Sequence, residues 1–243
     1  MAENITIAID GFSSCGKSTL ARALAAKLGY SYVDTGAMYR AVTLYLMRAG
    51  VLPTQDDFEA RVESHLPGIR VEFRYNNEKK TSETFLNEEP VEKEIRSMAV
   101  SELVSKVSLL KSVRQKMVAL QKNMGQRKGV VMEGRDIGTN VFPDAELKIF
   151  MLADPEVRMQ RRFDELHAKG IHISEEEVRK NLASRDYEDT HRKENPLIKA
   201  EDAIVLDNSE LSRQEQLEFV IRLVHDHRLL NTEEEEKQQK SPR

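Results

Sequence analysis

A chain of 243 residues with 40% hydrophobic and 32% charged content can bury a full core and is too apolar to be largely disordered. Its net charge of −4 supplies no global positive field, which argues against nucleic acid or membrane partners and leaves any anionic ligand to local arginines. Cys15 is the single cysteine, so no internal disulfide forms, and no segment approaches the ~18 consecutive apolar residues of a membrane helix. "MAENITIAID" lacks the basic stretch and apolar run of a secretory signal. A soluble, cytoplasmic protein is expected.

Residues 4–10, "NITIAID", predict a short apolar strand leading into a glycine turn. From Lys17 the apolar positions Leu20, Leu24 and Leu28 recur at helical spacing, and Gly29 is a natural stop. "YSYVD" predicts a second strand, and "TGAMYRAVTLYLMRAG" a helix closed by Gly50. Within 66–95, two alternating runs around Asn-Asn predict a polar hairpin, followed by a helical segment over 97–127 with one break. "GVVME" (129–133), "LKIFMLA" (147–153) and "AIVLD" (203–207) predict buried strands. Asp154-Pro155 opens a helix, and Ser174/Glu177 and Ser212/Glu215 are capping boxes opening later ones. Leu217, Val220, Ile221 and Val224 form the core stripe of the last helix. The charged stretch 231–243, "NTEEEEKQQKSPR", is expected to be disordered.

Strands alternating with helices imply an α/β fold with a parallel sheet covered on both faces. The expected organisation is a core over 1–60 and 125–230, a helical lid at about 155–190 within it, and an inserted lobe over 61–124.

The stretch Gly11 to Ser18 reads G-x-x-x-x-G-K-S. Such a loop offers backbone N–H groups and a helix N-terminus to phosphate oxygens, with Lys17 reaching the outer phosphates and Ser18 a Mg²⁺ ion. Thr19 places a second hydroxyl beside it. Cys15 is either a small tolerated side chain in the loop or a thiol activated by the helix N-terminus. Arg40, in "DTGAMYR", and Arg135, in "EGRD", follow strands, so both should reach the sheet edge where parallel-sheet ligands bind. Arg158, Arg161 and Arg162 share one helical face, as either a solvated basic stripe or a lid over a transferring phosphoryl group. Arg185, Asp189 and Arg192 also share a face, as either an intrahelical ion pair or a fork for a sugar and a phosphate. The chain carries no N-K-x-D or D-x-x-G pattern of a regulatory GTPase, and its six histidines show no metal-ligand spacing.

"IDGFSSCGKSTLA", "YVDTGAMYRAV", "EGRDIGTNVFPDAELKIFM" and "SRDYEDTHR" resemble the bacterial cytidylate kinases, a family of nucleoside monophosphate kinases, over about residues 4–230. The resemblance implies a P-loop kinase core with a five-stranded parallel sheet, and identifies the insert as the monophosphate-binding lobe. It implies ATP bound by Gly11, Ser13, Ser14, Cys15, Gly16, Lys17, Ser18 and Thr19, with Mg²⁺ at Ser18. Many relatives have Gly at that position, so either Ser18 or Thr19 supplies the hydroxyl. CMP or dCMP would be held by Thr35, Arg40, Arg135 and Arg192 at its phosphate, and by Arg185 and Asp189 at its sugar. Ser105, Arg114 and Asp136 would read its base. Lys17, Arg135, Arg158, Arg161 and Arg162 would act on the transferring group. The expected activity is phosphoryl transfer from ATP to CMP or dCMP by a monomer. A broader UMP/CMP kinase and a non-catalytic nucleotide sensor are the alternatives.

Overall fold

The computed structural model describes residues 4–76, 78 and 81–240. Strand β1 (Thr6–Gly11) passes through a glycine loop into helix α1 (Lys17–Leu28), then β2 (Ser31–Asp34) and α2 (Thr35–Arg48). The insert follows as α3 (Phe58–His65), the hairpin strands β3 (Val71–Asn76) and β4 (Thr81–Leu86), the short β5 (Glu89–Pro90), and α4 (Met98–Ser108) and α5 (Lys111–Gly125). The chain returns through β6 (Val130–Gly134), β7 (Leu147–Leu152), α6 (Pro155–Ala168), α7 (Glu175–His191), β8 (Ile204–Asp207) and α8 (Arg213–Lys240).

The five core strands form one parallel sheet in the order β2-β6-β1-β7-β8, and β3-β4-β5 form a separate antiparallel sheet. Side-chain alternation divides the central strands between two cores. Ala8, Val130 and Met132 face α2 and the insert, while Ile7, Ile9 and Val131 face α1 and α8. The first core runs without interruption into the insert through Val62, Ile69, Val71, Leu86, Ile95 and Val100. Helices α6 and α7 share a small cluster of their own, Met159, Leu166, Val178 and Leu182.

Local sequence explains most boundaries. Gly29 and Gly50 take left-handed φ values of 69° and 67° where α1 and α2 end. The Asp154 carboxylate accepts from the N–H groups of Glu156 and Val157, and both capping boxes close reciprocally. The predicted break in 97–127 falls at Leu109-Leu110. Two elements differ from expectation. Helix α3 lacks a strong apolar stripe, its one buried residue being Val62, so periodicity did not reveal it. Helix α8 continues to Lys240, through most of the segment expected to be disordered. Glu, Gln and Lys are strong helix formers, and no Gly or Pro interrupts them before Pro242. Residues 241–243, like Asn77 of the expected Asn-Asn turn, lie outside the described residues.

Candidate active site

Parallel strands β1, β2 and β6 all end at one edge, and the site is built there. Gly11 closes β1 at φ 150°, so close to β7 that a Cβ would lie 2.3 Å from the Met151 carbonyl oxygen. Gly16 (φ 93°) turns the chain into α1. Lys17 folds back across this loop, its Nζ donating to the carbonyls of Gly11 at 2.9 Å and Phe12 at 2.6 Å. Burial, and then the neighbouring Arg135 charge, push its pKa down. Ser13, Ser14, Gly16, Lys17, Ser18 and Thr19 line a cleft of about 780 Å³.

Cys15 does not line that cleft. It is fully buried, and its Sγ–H donates to the Phe12 carbonyl at 3.0 Å. The activated-thiol alternative therefore has no access route, and the small structural side chain is what the fold uses.

Across the loop stands a buried carboxylate that the sequence reading passed over. Glu133, near the end of β6, accepts from the Tyr32 hydroxyl at 2.6 Å and lies beside the Ser18 side chain. Burial and the nearby Asp34 raise its pKa. Asp34 caps α2 through the Ala37 N–H and accepts from Arg96 of the insert at 2.7 Å. Although burial pushes Asp34 up, Arg96 holds it below the usual range. A single acidic residue ending the apolar run "VVME" was the available signal for Glu133.

A second cavity, of about 90 Å³, adjoins the cleft. Its lining includes Thr35, Arg40, Ser105, Arg114, Arg135, Asp136, Arg185, Asp189 and Arg192. The topology thus gathers every residue expected at the acceptor from α2, α4, α5, the β6 loop and α7. Thr35 Oγ1 donates to the Glu133 carbonyl at 2.7 Å. Asp136 accepts from Arg114 at 2.8 Å on one oxygen and from Arg192 at 3.2 Å on the other. Asn140, unmarked in the sequence reading, also donates to it at 3.1 Å. The loop bearing Asp136 is pinned by Asp10, whose carboxylate accepts from the N–H groups of Ile137 and Gly138. Burial raises the Asp10 pKa to about 6 despite those bonds.

Cations concentrate where the two cavities meet, since Arg40, Arg135 and Arg185 line both. Arg40 donates to Ser101 Oγ at 2.8 Å, and burial followed by repulsion from Arg185 and Arg96 lowers its pKa to about 9. Arg185 has no hydrogen-bond or ion-pair partner among the described residues, and burial and Arg135 lower its pKa to about 10. Of the two arginines flanking Asp189, Arg185 makes no pair with it and Arg192 a long one at 3.5 Å, while its short bond comes from Arg135 at 2.7 Å. Underpaired guanidinium groups crowded together form a site that favours an anion.

The three arginines of α6 separate. Arg161 and Arg162 line the large cleft. Arg161 donates to both the side-chain and backbone oxygens of Asn208 at 2.9 Å, and Arg162 pairs with Glu165. Arg158 lines neither cavity. It is 7% exposed and donates to Asp186 and to the Ser13 carbonyl, so it packs against the back of the loop. Asn208 in turn donates to the Cys15 carbonyl at 2.7 Å, a bracing contact the sequence did not signal.

The sequence matches the profile of the cytidylate kinase family, described as "Cytidylate kinase", over residues 7–226. The chain belongs to the cytidylate kinase family. A cytidylate kinase of Flavobacterium johnsoniae is 55% identical over 227 residues, which span 92% of this chain and 97% of the relative. One from Bacteroides thetaiotaomicron is 55% identical over 218 residues, 90% of this chain and 95% of the relative. A third, from Flavobacterium psychrophilum, is 52% identical across 92% of this chain and 99% of its own length.

As a cytidylate kinase family member, the chain presents oxygen donors suited to the cation that accompanies a nucleoside triphosphate. The Ser18 hydroxyl and the Glu133 carboxylate stand together on the cleft wall. Hard oxygen ligands of this type fit Mg²⁺. No described helix is long and apolar enough to cross a bilayer.

Proposed function

We propose that the chain transfers the γ-phosphoryl group of ATP to CMP or dCMP, yielding ADP and CDP or dCDP. The observation that carries this reading is the junction of the two cavities, where Arg40, Arg135 and Arg185 converge between the phosphate loop and the pocket holding Asp136. One nucleotide lies on each side, and the phosphates meet at the cations.

A nucleoside monophosphate with a second pKa of about 6 is mostly dianionic at pH 7. Its phosphate oxygen attacks the γ-phosphorus while the bond to the β-bridging oxygen breaks, and no protein base is required. The protein's contribution is in-line placement and charge stabilisation. Lys17 and the glycine loop hold the donor phosphates, Thr35 and Arg40 with Arg192 the acceptor phosphate, Arg185 and Asp189 its sugar, and Arg135 stands between the two phosphates. Arg161 and Arg162 face the donor side. Ser18 or Thr19, with Glu133, would hold Mg²⁺, which when bound neutralises phosphate charge. At the base, a carboxylate accepts from the cytosine amino group, the role assigned to Asp136. Uracil would set an oxygen against that carboxylate.

A monomer is the working unit of this reading, and free nucleotides as substrates suit a cytoplasmic setting. A coupled assay of ATP against CMP, dCMP, UMP and AMP tests the reading. CMP and dCMP should be the strong acceptors. Equal use of UMP would favour a broader UMP/CMP kinase, and binding without CDP formation would favour a sensor.

A further inference from the structure

We propose that the buried Arg158–Asp186 pair is a positioning contact through which acceptor binding on α7 sets the phosphate loop that holds the donor. The inference rests on the two-nucleotide reading above and adds a link between the two sites.

One guanidinium touches both structures. Arg158 Nη1 donates to the Ser13 carbonyl of the loop at 3.3 Å and to Asp186 Oδ2 on α7 at 2.7 Å. Its guanidinium lies 5.2 Å from the ring centroid of Phe12, also in the loop, and Phe12 packs edge-on against Phe150 of β7. Asp186 directly follows Arg185 and precedes Asp189 by less than one helical turn. Both of those neighbours line the acceptor cavity, whereas Arg158 and Asp186 line neither cavity. A displacement of α7 by an acceptor therefore reaches the loop through this pair.

The pair is also incomplete. Arg158 Nε and Asp186 Oδ1 are both buried and both lack a hydrogen-bond partner. The bond from Nη1 stands alone, because the Nε–H lies on the Nη2 side of the guanidinium and cannot join Nη1 in a parallel fork on one carboxylate. A buried polar atom left unpaired is unfavourable. A small shift of α7 against α6 that gives either unpaired atom a partner would be favoured, and it would act on the Ser13 carbonyl through the same guanidinium.

The experiment measures binding of a non-hydrolysable ATP analogue to the full chain by calorimetry, with and without saturating CMP. Asp186→Asn, which keeps the shape but loses the charge, and Asp186→Ala are compared with the unaltered chain. The unaltered chain should bind the analogue at least about 5-fold tighter with CMP present, the lower range of ordinary coupling. Both variants should reduce that factor below about 2-fold while each ligand's affinity alone changes by less than about 3-fold. Arg158→Lys, which retains one donor to Asp186, should give an intermediate factor. No coupling in the unaltered chain, or full coupling in a cooperatively melting Asp186→Asn, would overturn the proposal. If Asp186→Ala fails to fold, Asp186→Asn decides. Turnover is assayed separately, so a chain that binds both nucleotides with coupling yet makes no CDP defeats the functional reading and not this one.

Discussion

Arg135 Nε donates to Asp189 Oδ2 at 2.7 Å, joining the end of β6 to α7 across 54 residues of sequence. The two side chains are 19% and 18% exposed, so water screens the pair only partly. Burial pushes the Asp189 pKa up, but Arg135, Arg192 and Arg185 together hold it below the usual carboxylate range. Removing the carboxylate leaves three guanidinium groups facing one another. Asp189→Ala should raise the KM for CMP at least tenfold, and should cost about 3 kcal/mol of stability, the scale for breaking a buried pair. Steady-state kinetics and denaturant titration check both; an unchanged KM would remove Asp189 from the acceptor site.

Asp136, gripped by Arg114 and Arg192, is the group assigned to the cytosine amino hydrogen. Asp136→Asn adds an amide donor that can face a uracil oxygen. The ratio of kcat/KM for CMP over UMP should fall at least tenfold, which is about 1.4 kcal/mol of discrimination. A ratio that stays constant would show that the base is read elsewhere.

Asp10 predicts a pH dependence of stability. Its pKa rises from 3.8 to about 6 on folding, through burial. Between those values the unfolded chain has lost the proton that the folded chain still holds, so stability falls as pH rises through this window and the loss is complete above it. The change is on the order of 3 kcal/mol at 1.36 kcal/mol per pH unit. Subtracting the pH profile of Asp10→Asn from that of the unaltered protein isolates the group. A flat difference between pH 4 and 7 would contradict the assignment.

Cys15 should resist thiol reagents in the folded protein, because its side chain is 0% exposed. Labelling should be at least about 100-fold slower under native conditions than in denaturant, following the rarity of opening in a stable domain. Rapid native labelling would mean that the loop opens far more readily than its packing implies.

The strand sequence of the core, the glycine loop and most helix starts and stops were legible without the structure. Each depends on neighbours in sequence: apolar runs in "VVME" and "LKIFMLA", the turn at Gly11 and Gly16, the caps at Asp154, Ser174 and Ser212. Motif resemblance supplied the nine acceptor residues, and the fold then brought them to one cavity. Hidden from that reading were α3, with one buried residue, and the continuation of α8, where compositional polarity suggested disorder but helix propensity prevails.

Partner choice belonged to the tertiary structure. Helical spacing offered Arg185 to Asp189, yet Asp189 turned to Arg135 because the parallel strand order sets the end of β6 against α7. Spacing likewise put Arg158, Arg161 and Arg162 on one face, while packing buried Arg158 behind the loop and left Arg161 and Arg162 on the cleft. The sequence could not name the partners of Glu133 and Asn208, because Tyr32 and Cys15 lie 101 and 193 residues away. Backbone hydrogen bonding and side-chain periodicity are short-range and can be read along the chain. Which charges face one another in a low-dielectric site depends on how the sheet closes, and only the folded chain decides it.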